Sequence, residues 1–191
     1  IAAYAIPLQE KWLTYTPAAV STEGGVSKSD KGYYIAFKPG AIINDMGRTV
    51  TIRSVRIRPN GTSIQALRVS ISASADGKTW KPIRQLQPPR QGWQNNGHAY
   101  TYALKPFSAR YVKLSWTPEG SEPGAEDLDA AKWKPTLKLQ EAIFSSEPKI
   151  DNWEGKAGQE WRIAPETSAT DVPDELYIQP SGMERITLRD S

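Results

Sequence analysis

The sequence has no cysteine and a single histidine, His98. The first absence excludes disulfides and thiolate metal sites, and it leaves the redox compartment unread. The second leaves little for nucleophilic catalysis: there is no thiol, no Gly-x-Ser-x-Gly turn, and the one imidazole lies in a polar loop. No apolar run approaches the length of a membrane-spanning helix. Charge of one sign is scarce too. The 24 Lys and Arg are scattered among 21 Asp and Glu, a net charge of +3, and no basic footprint for nucleic acid results. Phenylalanine is rare, 3 residues against 7 Trp and 8 Tyr, which favours surfaces built from aromatics with a polar handle. The chain opens on Ile1 rather than Met, so a processed or excised segment of a longer protein is expected.

What the chain does have is alternation and turns. Fifteen Pro and fourteen Gly fit many turns and few helices. Leu67, Val69, Ile71 and Ala73 share one face of the run Ala66–Ser74, the period of a half-buried strand. Asp76-Gly77 then supplies a tight turn, and a second strand is expected from Trp80 to Leu86. Tyr100–Leu104 reads as a third strand, broken by Pro106, and Ala109–Trp116 as a fourth. Upstream, Gly32–Phe37 reads as a strand ended by Pro39-Gly40, and residues 17 to 33 as a loop or ragged edge. Val50 and Ile52 alternate in one phase, Val55 and Ile57 in the other, which marks a bulge or change of sheet across Arg53-Ser54. Thr136–Phe144 restores alternation, with Leu137, Leu139, Glu141 and Ile143 on one face. Strands at this spacing without a helical period predict an antiparallel all-β body. Trp80, Val69, Ile71, Val112, Leu114 and Leu139 are expected to be buried together, with Trp116 also in the core. By the same phase Arg110 and Glu141 both point inward and are expected to pair with each other.

Two long loops remain, from Gln87 to His98 and from Thr117 to Pro135. Loops this long in a compact domain are more often functional than not. Trp93 stands among Arg90, Asn95, Asn96 and His98, the mixture of an indole for a sugar ring's C–H face and polar partners for its hydroxyls. Sugar contact, interdomain packing and a lid on the sandwich all stay open for Trp93. Trp133, in the second loop, is the other candidate. Five acids there, Glu119, Glu122, Glu126, Asp127 and Asp129, come from one segment with nothing to fix the separation of about 5–10 Å that a glycosidase pair needs. No catalytic residue is therefore named. Calcium stays open through these hard oxygen ligands, but no Asp-x-Asp-x-Asp-Gly spacing occurs, so no cofactor or metal ligand is assigned. Trp153 and Trp161 are expected to anchor an irregular connector.

The turn Ser74-x-Asp76-Gly77-x-x-Trp80, followed some thirty residues on by Ala109-Arg110-Tyr111-Val112-Lys113-Leu114, resembles the discoidin family, the coagulation factor five/eight type C domains. The resemblance covers roughly Gly32 to Phe144. It implies an antiparallel jelly-roll β-sandwich of the galactose-binding kind, often a carbohydrate-binding module of a glycoside hydrolase. The Asp-Gly-Asp run common near the discoidin metal site is absent. The connector Ile150-Asp151-Asn152-Trp153-Glu154-Gly155-Lys156-Ala157-Gly158 resembles that of large bacterial α-L-rhamnosidases, of glycoside hydrolase family 106. In those enzymes the catalytic carboxylates lie in a barrel that matches nothing here.

These resemblances imply a sandwich over residues 1–146 and, over 147–191, a linker and the start or edge of an adjoining region. They imply a non-catalytic accessory domain, carbohydrate-binding or architectural, of a secreted or periplasmic hydrolase. Its partners would be a plant or algal saccharide, pectic ones included, and neighbouring domains, with no nucleic acid and no membrane. A protein-interaction module without sugar binding is the alternative.

Overall fold

A computed structural model describes residues 3–5, 12–87, 97–118, 135–157 and 184–186. The strands are β1 (Ala3–Ala5), β2 (Thr14–Tyr15), β3 (Ala19–Lys28), β4 (Tyr34–Pro59), β5 (Ser70–Ser74), β6 (Lys81–Gln85), β7 (Tyr100–Trp116), β8 (Leu137–Ser145) and β9 (Glu184–Ile186). Helix among the described residues is confined to a 3₁₀ turn, Ile64–Leu67, and one short helix, α1 (Trp153–Lys156). β1 and β9 pair with each other, and the other seven strands form a sheet in the order β2-β8-β4-β7-β5-β6, with β3 added on β4.

β4 is the strand that shapes this sheet. It runs antiparallel to β7 twice, Gly40–Asp45 against Tyr111–Trp116 and Val50–Ile57 against Tyr100–Ala109, with a break in register between Asp45 and Val50. β8 touches both of its ends, Leu137–Leu139 lying beside Tyr34–Ala36 and Leu139–Ser145 beside Ser54–Pro59. A single strand bridging both ends of another curls the sheet around its own inner face, giving the expected all-β sandwich architecture. Ile42, Ile52, Ile57, Leu67, Ile71, Leu114, Trp116, Leu137, Leu139 and Phe144 fill that face. Burying each large side chain contributes about 1.5–3 kcal/mol.

The phase switch at Arg53-Ser54 is a bulge: register shifts between Ile52 and Ser54, and Val50, Ile52, Val55 and Ile57 are all buried. Other expectations need correction. The strand expected from Ala66 begins at Ser70, because Ile64–Leu67 forms the 3₁₀ turn. Pro106 does not split β7. It falls in an unpaired stretch between Ala103 and Phe107, where a missing N–H removes no ladder bond. Pro39-Gly40 does not end the first long strand, and residues 19–28 are a strand rather than a loop, pairing antiparallel with β4. Their Ser, Gly and Lys content suits an exposed edge.

Val69, Ile71, Val112, Leu114 and Leu139 are buried in one core as expected, but Trp80 is not among them. Its ring lies on the outer face of the sheet beneath Lys113, whose Nζ stands 4.2 Å from the ring centroid. Lys113 alternates with the buried Val112 and Leu114, so a side chain that packs on it is outside by construction.

The expected pairing of Arg110 with Glu141 is also overturned. Arg110 donates through Nε and Nη2 to the two carboxylate oxygens of Asp45, both at 2.9 Å, and Glu141 lies 3.7 Å from Arg58. The reason is the same at both places. Ala109 and Val112 are both buried, three positions apart, so alternation breaks at Arg110 and turns it out. In β8 Leu139 and Phe144 are buried five apart, with Pro59 opposite Leu139 and Arg58 opposite Glu141, so a slip at Gln140 places Glu141 outside. The Arg110 hydrogen bond, followed by the Gly47 amide, holds the Asp45 carboxyl below its usual range.

The turn after β5 is held by one carboxylate. Asp76 Oδ1 accepts from the amides of Lys78 and Thr79, each at 2.8 Å, and from Ser74 Oγ at 2.9 Å. Gly77 takes the left-handed conformation the turn needs, φ +74°. These bonds, those from the Thr79 and Lys78 amides first, lower the Asp76 pKa to about 2. A carboxyl depressed on folding contributes stability that is complete above its unfolded pKa of about 3.9 and is lost as pH falls through its folded value. The melting-temperature gap between the native chain and Asp76→Asn is therefore expected to be constant above about pH 5 and to shrink towards pH 2. A gap independent of pH would show that the turn does not depend on this charge.

Candidate functional site

The two long loops spring from one place. The Gly97 amide donates to the Gly61 carbonyl at 3.0 Å, just before His98. Trp116 Nε1 donates to Gln65 Oε1 at 3.2 Å where the second loop begins, and Ser63 Oγ donates to the Thr136 carbonyl at 3.0 Å where it returns. Described ends of both loops thus gather around residues 60–65. Arg90, Trp93, Asn95, Asn96 and Trp133 lie outside the described residues, as do Trp161 and the five acids of the second loop. His98 is described, and it is exposed. Among the described residues no group of three or more His, Asp or Glu could hold a metal ion.

His98 borders a cleft of about 290 Å³, together with Arg56, Arg58, Tyr100, Trp153 and Glu154. Arg56 and Arg58 are two apart on β4 and share its outer face, because Val55 and Ile57 between and before them are buried. Trp153 is 39% exposed, a high figure for an indole, and forms the aromatic wall.

Trp153 is held there by a clasp that covers an open sheet edge. Over Tyr100–Ala103, β7 has β4 on one side, whereas β5 reaches only Tyr111–Ser115 on the other. Unpaired backbone groups on that free side would be costly if buried. Residues 151–154 and Arg84 satisfy them. The Thr101 amide donates to Glu154 Oε2 at 3.1 Å, and the Asn152 amide donates to the Thr101 carbonyl at 2.8 Å. The Ala103 amide donates to Asp151 Oδ1 at 2.8 Å, and Arg84 Nη1 donates to the Ala103 carbonyl at 2.5 Å. Arg84 also grips Asp151 with two bonds, Nη1 to Oδ1 at 2.6 Å and Nη2 to Oδ2 at 3.0 Å. Thr101 Oγ1 donates to Glu154 Oε1 at 2.7 Å and accepts from Trp153 Nε1 at 3.1 Å, which fixes the indole. Asn152 adopts a left-handed conformation, φ +46°, to make the corner.

Sequence reasoning named Trp153 an anchor of the connector and missed the rest. A usable signal was there: Asp151 and Glu154, with a Trp between them, lie in the short connector that follows the last strand of the sheet.

The curled antiparallel sheet, with its loops gathered at one turn and its cleft on the outer face, defines a β-sandwich domain. The F5/8 type C domain family matches residues 12–126, and the chain belongs to that family. A search of curated proteins gives no match. Among solved structures the chain is similar to a pectin binding carbohydrate binding module, at 15% identity and a TM-score of 0.49, covering 71% of this chain and 94% of that one. It is similar to the CBM32 of AlyQ in complex with 4,5-unsaturated mannuronic acid, at 14% identity and a TM-score of 0.47, covering 69% and 97%. It is also similar to CBM32-1 from a family 31 glycoside hydrolase of Clostridium perfringens, at 19% identity and a TM-score of 0.44, covering 67% and 94%.

Proposed function

We propose that this domain is a non-catalytic carbohydrate-binding module. It serves a secreted or periplasmic bacterial enzyme that degrades plant or algal polysaccharide, and the connector motif favours an α-L-rhamnosidase as that enzyme. The observation that carries the reading is the cleft, where an accessible indole faces two guanidinium groups and an imidazole. An indole offers a flat apolar face to sugar C–H groups while charged and polar neighbours meet hydroxyls. At about 290 Å³ the cleft is at the small end of ligand pockets, which fits one sugar unit of a chain. Trp93, Arg90, Asn95, Asn96 and Trp133 belong to the same proposal, since both their loops are rooted around residues 60–65.

Titration of the chain against a saccharide panel tests it. Trp153→Ala is expected to weaken saccharide binding by about tenfold or more. The melting temperature should fall only by about 2–4 °C, the equivalent of one lost hydrogen bond. A large loss of stability with unchanged affinity would make the indole a packing group. A chain that binds no saccharide would favour the protein-interaction alternative.

A further inference from the structure

The cleft carries more positive charge than a neutral sugar needs. Arg56 is exposed and makes no ion pair among the described residues. Two positions apart on one strand face, its neighbour Arg58 starts about 7 Å away, near enough for both guanidinium groups to reach one ligand. Arg58 has only a 3.7 Å contact with Glu141, both side chains 43% exposed. Such exposed pairs contribute about 0–1 kcal/mol, so a ligand can displace this one. The negative group in the cleft is Glu154, and it is turned away from ligand: it is buried, with one oxygen on the Thr101 amide and the other on the Thr101 hydroxyl. The lining thus sets two guanidinium groups against one carboxylate, whose two oxygens are already engaged by Thr101.

Resting on the carbohydrate-binding reading, we infer that the cleft selects a saccharide that carries a carboxylate, a uronic acid unit. Arg56 and Arg58 hold the carboxylate and Trp153 receives the ring face. Arginine suits this task because its planar fork meets the two oxygens of a carboxylate with parallel hydrogen bonds, which a lysine cannot do. His98, at the rim, is placed to meet a ring hydroxyl. The trigonal carboxylate matches the fork better than a tetrahedral sulfate ester, and it is the source to which the assignment commits.

The test is calorimetric titration of the full chain with a panel of oligouronides, their methyl esters, neutral oligosaccharides and sulfated neutral oligosaccharides of equal length. Esterification removes the charge and keeps the ring, so it should weaken binding by about tenfold or more. Arg56→Gln should bring the affinity for the free acid down towards that of the ester. Added salt should weaken binding of the acid and leave the ester unaffected. Equal affinity for acid and ester would overturn the acid selection and leave the carbohydrate reading standing. Sulfated chains binding as tightly as uronides would overturn the carboxylate assignment. Failure of every saccharide to bind would overturn both.

Discussion

Asp151→Ala is expected to destabilise the domain by about 3–5 kcal/mol, read as a shift in the denaturant midpoint at unchanged slope. The Asp151 side chain is 1% exposed and that of Arg84 21%. Removing the carboxylate leaves the guanidinium without its bidentate partner and the Ala103 amide without an acceptor. Stranding a buried charge costs more than the pair gains by forming, which is why the single substitution is the severe one. Arg84→Ala should be costly for the mirror reason. The two substitutions together should cost less than their sum, a coupling of about 0.5–3 kcal/mol. The binding assay should report the same event, because the clasp that Asp151 begins is the one that presents Trp153 to the cleft. An Asp151→Ala variant within about 1 kcal/mol of the native chain would mean that the edge of β7 is not closed in solution.

That clasp also marks the limit of what could be read in advance. Alternation places a residue on a face, and it worked where the ladder is regular: Ile71 and Ala73 on β5, with Val69 just before it, and Val112 and Leu114 on β7. It worked at one irregularity, Arg53-Ser54, because apolar residues on both sides display the change of phase. It failed at Arg110 and Glu141, where a polar residue sits at the slip itself and carries no phase of its own. The outcome is informative. Each found a different partner of opposite charge, Asp45 and Arg58, on the facing stretch of β4. Trp80 failed for another reason: hydrophobicity favours burial but does not say against which side, and a lysine stem with its charged end can cover an indole from outside. The free edge of β7 could not be seen at all, since which strand lacks a neighbour depends on pairings between residues far apart in the chain. Of the candidate site, His98 was named in advance and borders the cleft, whereas Arg56 and Arg58 read only as the polar side of a strand.

The other large effect is expected at Trp116, which ties the core to the base of the loops. The side chain is 2% exposed, and its Nε1 donates to Gln65 Oε1 at 3.2 Å, with Gln65 itself buried. Opposite it in register is Gly40, where an added Cβ would stand 2.5 Å from the Glu23 carbonyl oxygen and 2.7 Å from the Gly25 amide nitrogen. The backbones of β3 and β4 are therefore in close contact at this point. Trp116→Ala should cost about 3–5 kcal/mol by lost burial and the void left behind. Trp116→Phe separates the two contributions. It keeps most of the apolar contact and strands the Gln65 carbonyl oxygen, which should cost about 1–3 kcal/mol. Adding Gln65→Leu to Trp116→Phe removes the stranded group and should recover part of that loss. If Trp116→Phe were as damaging as Trp116→Ala, ring shape rather than the hydrogen bond would control the site. If both were nearly neutral, the indole would not be the link between the core and the turn at residues 60–65, and saccharide affinity should be untouched as well.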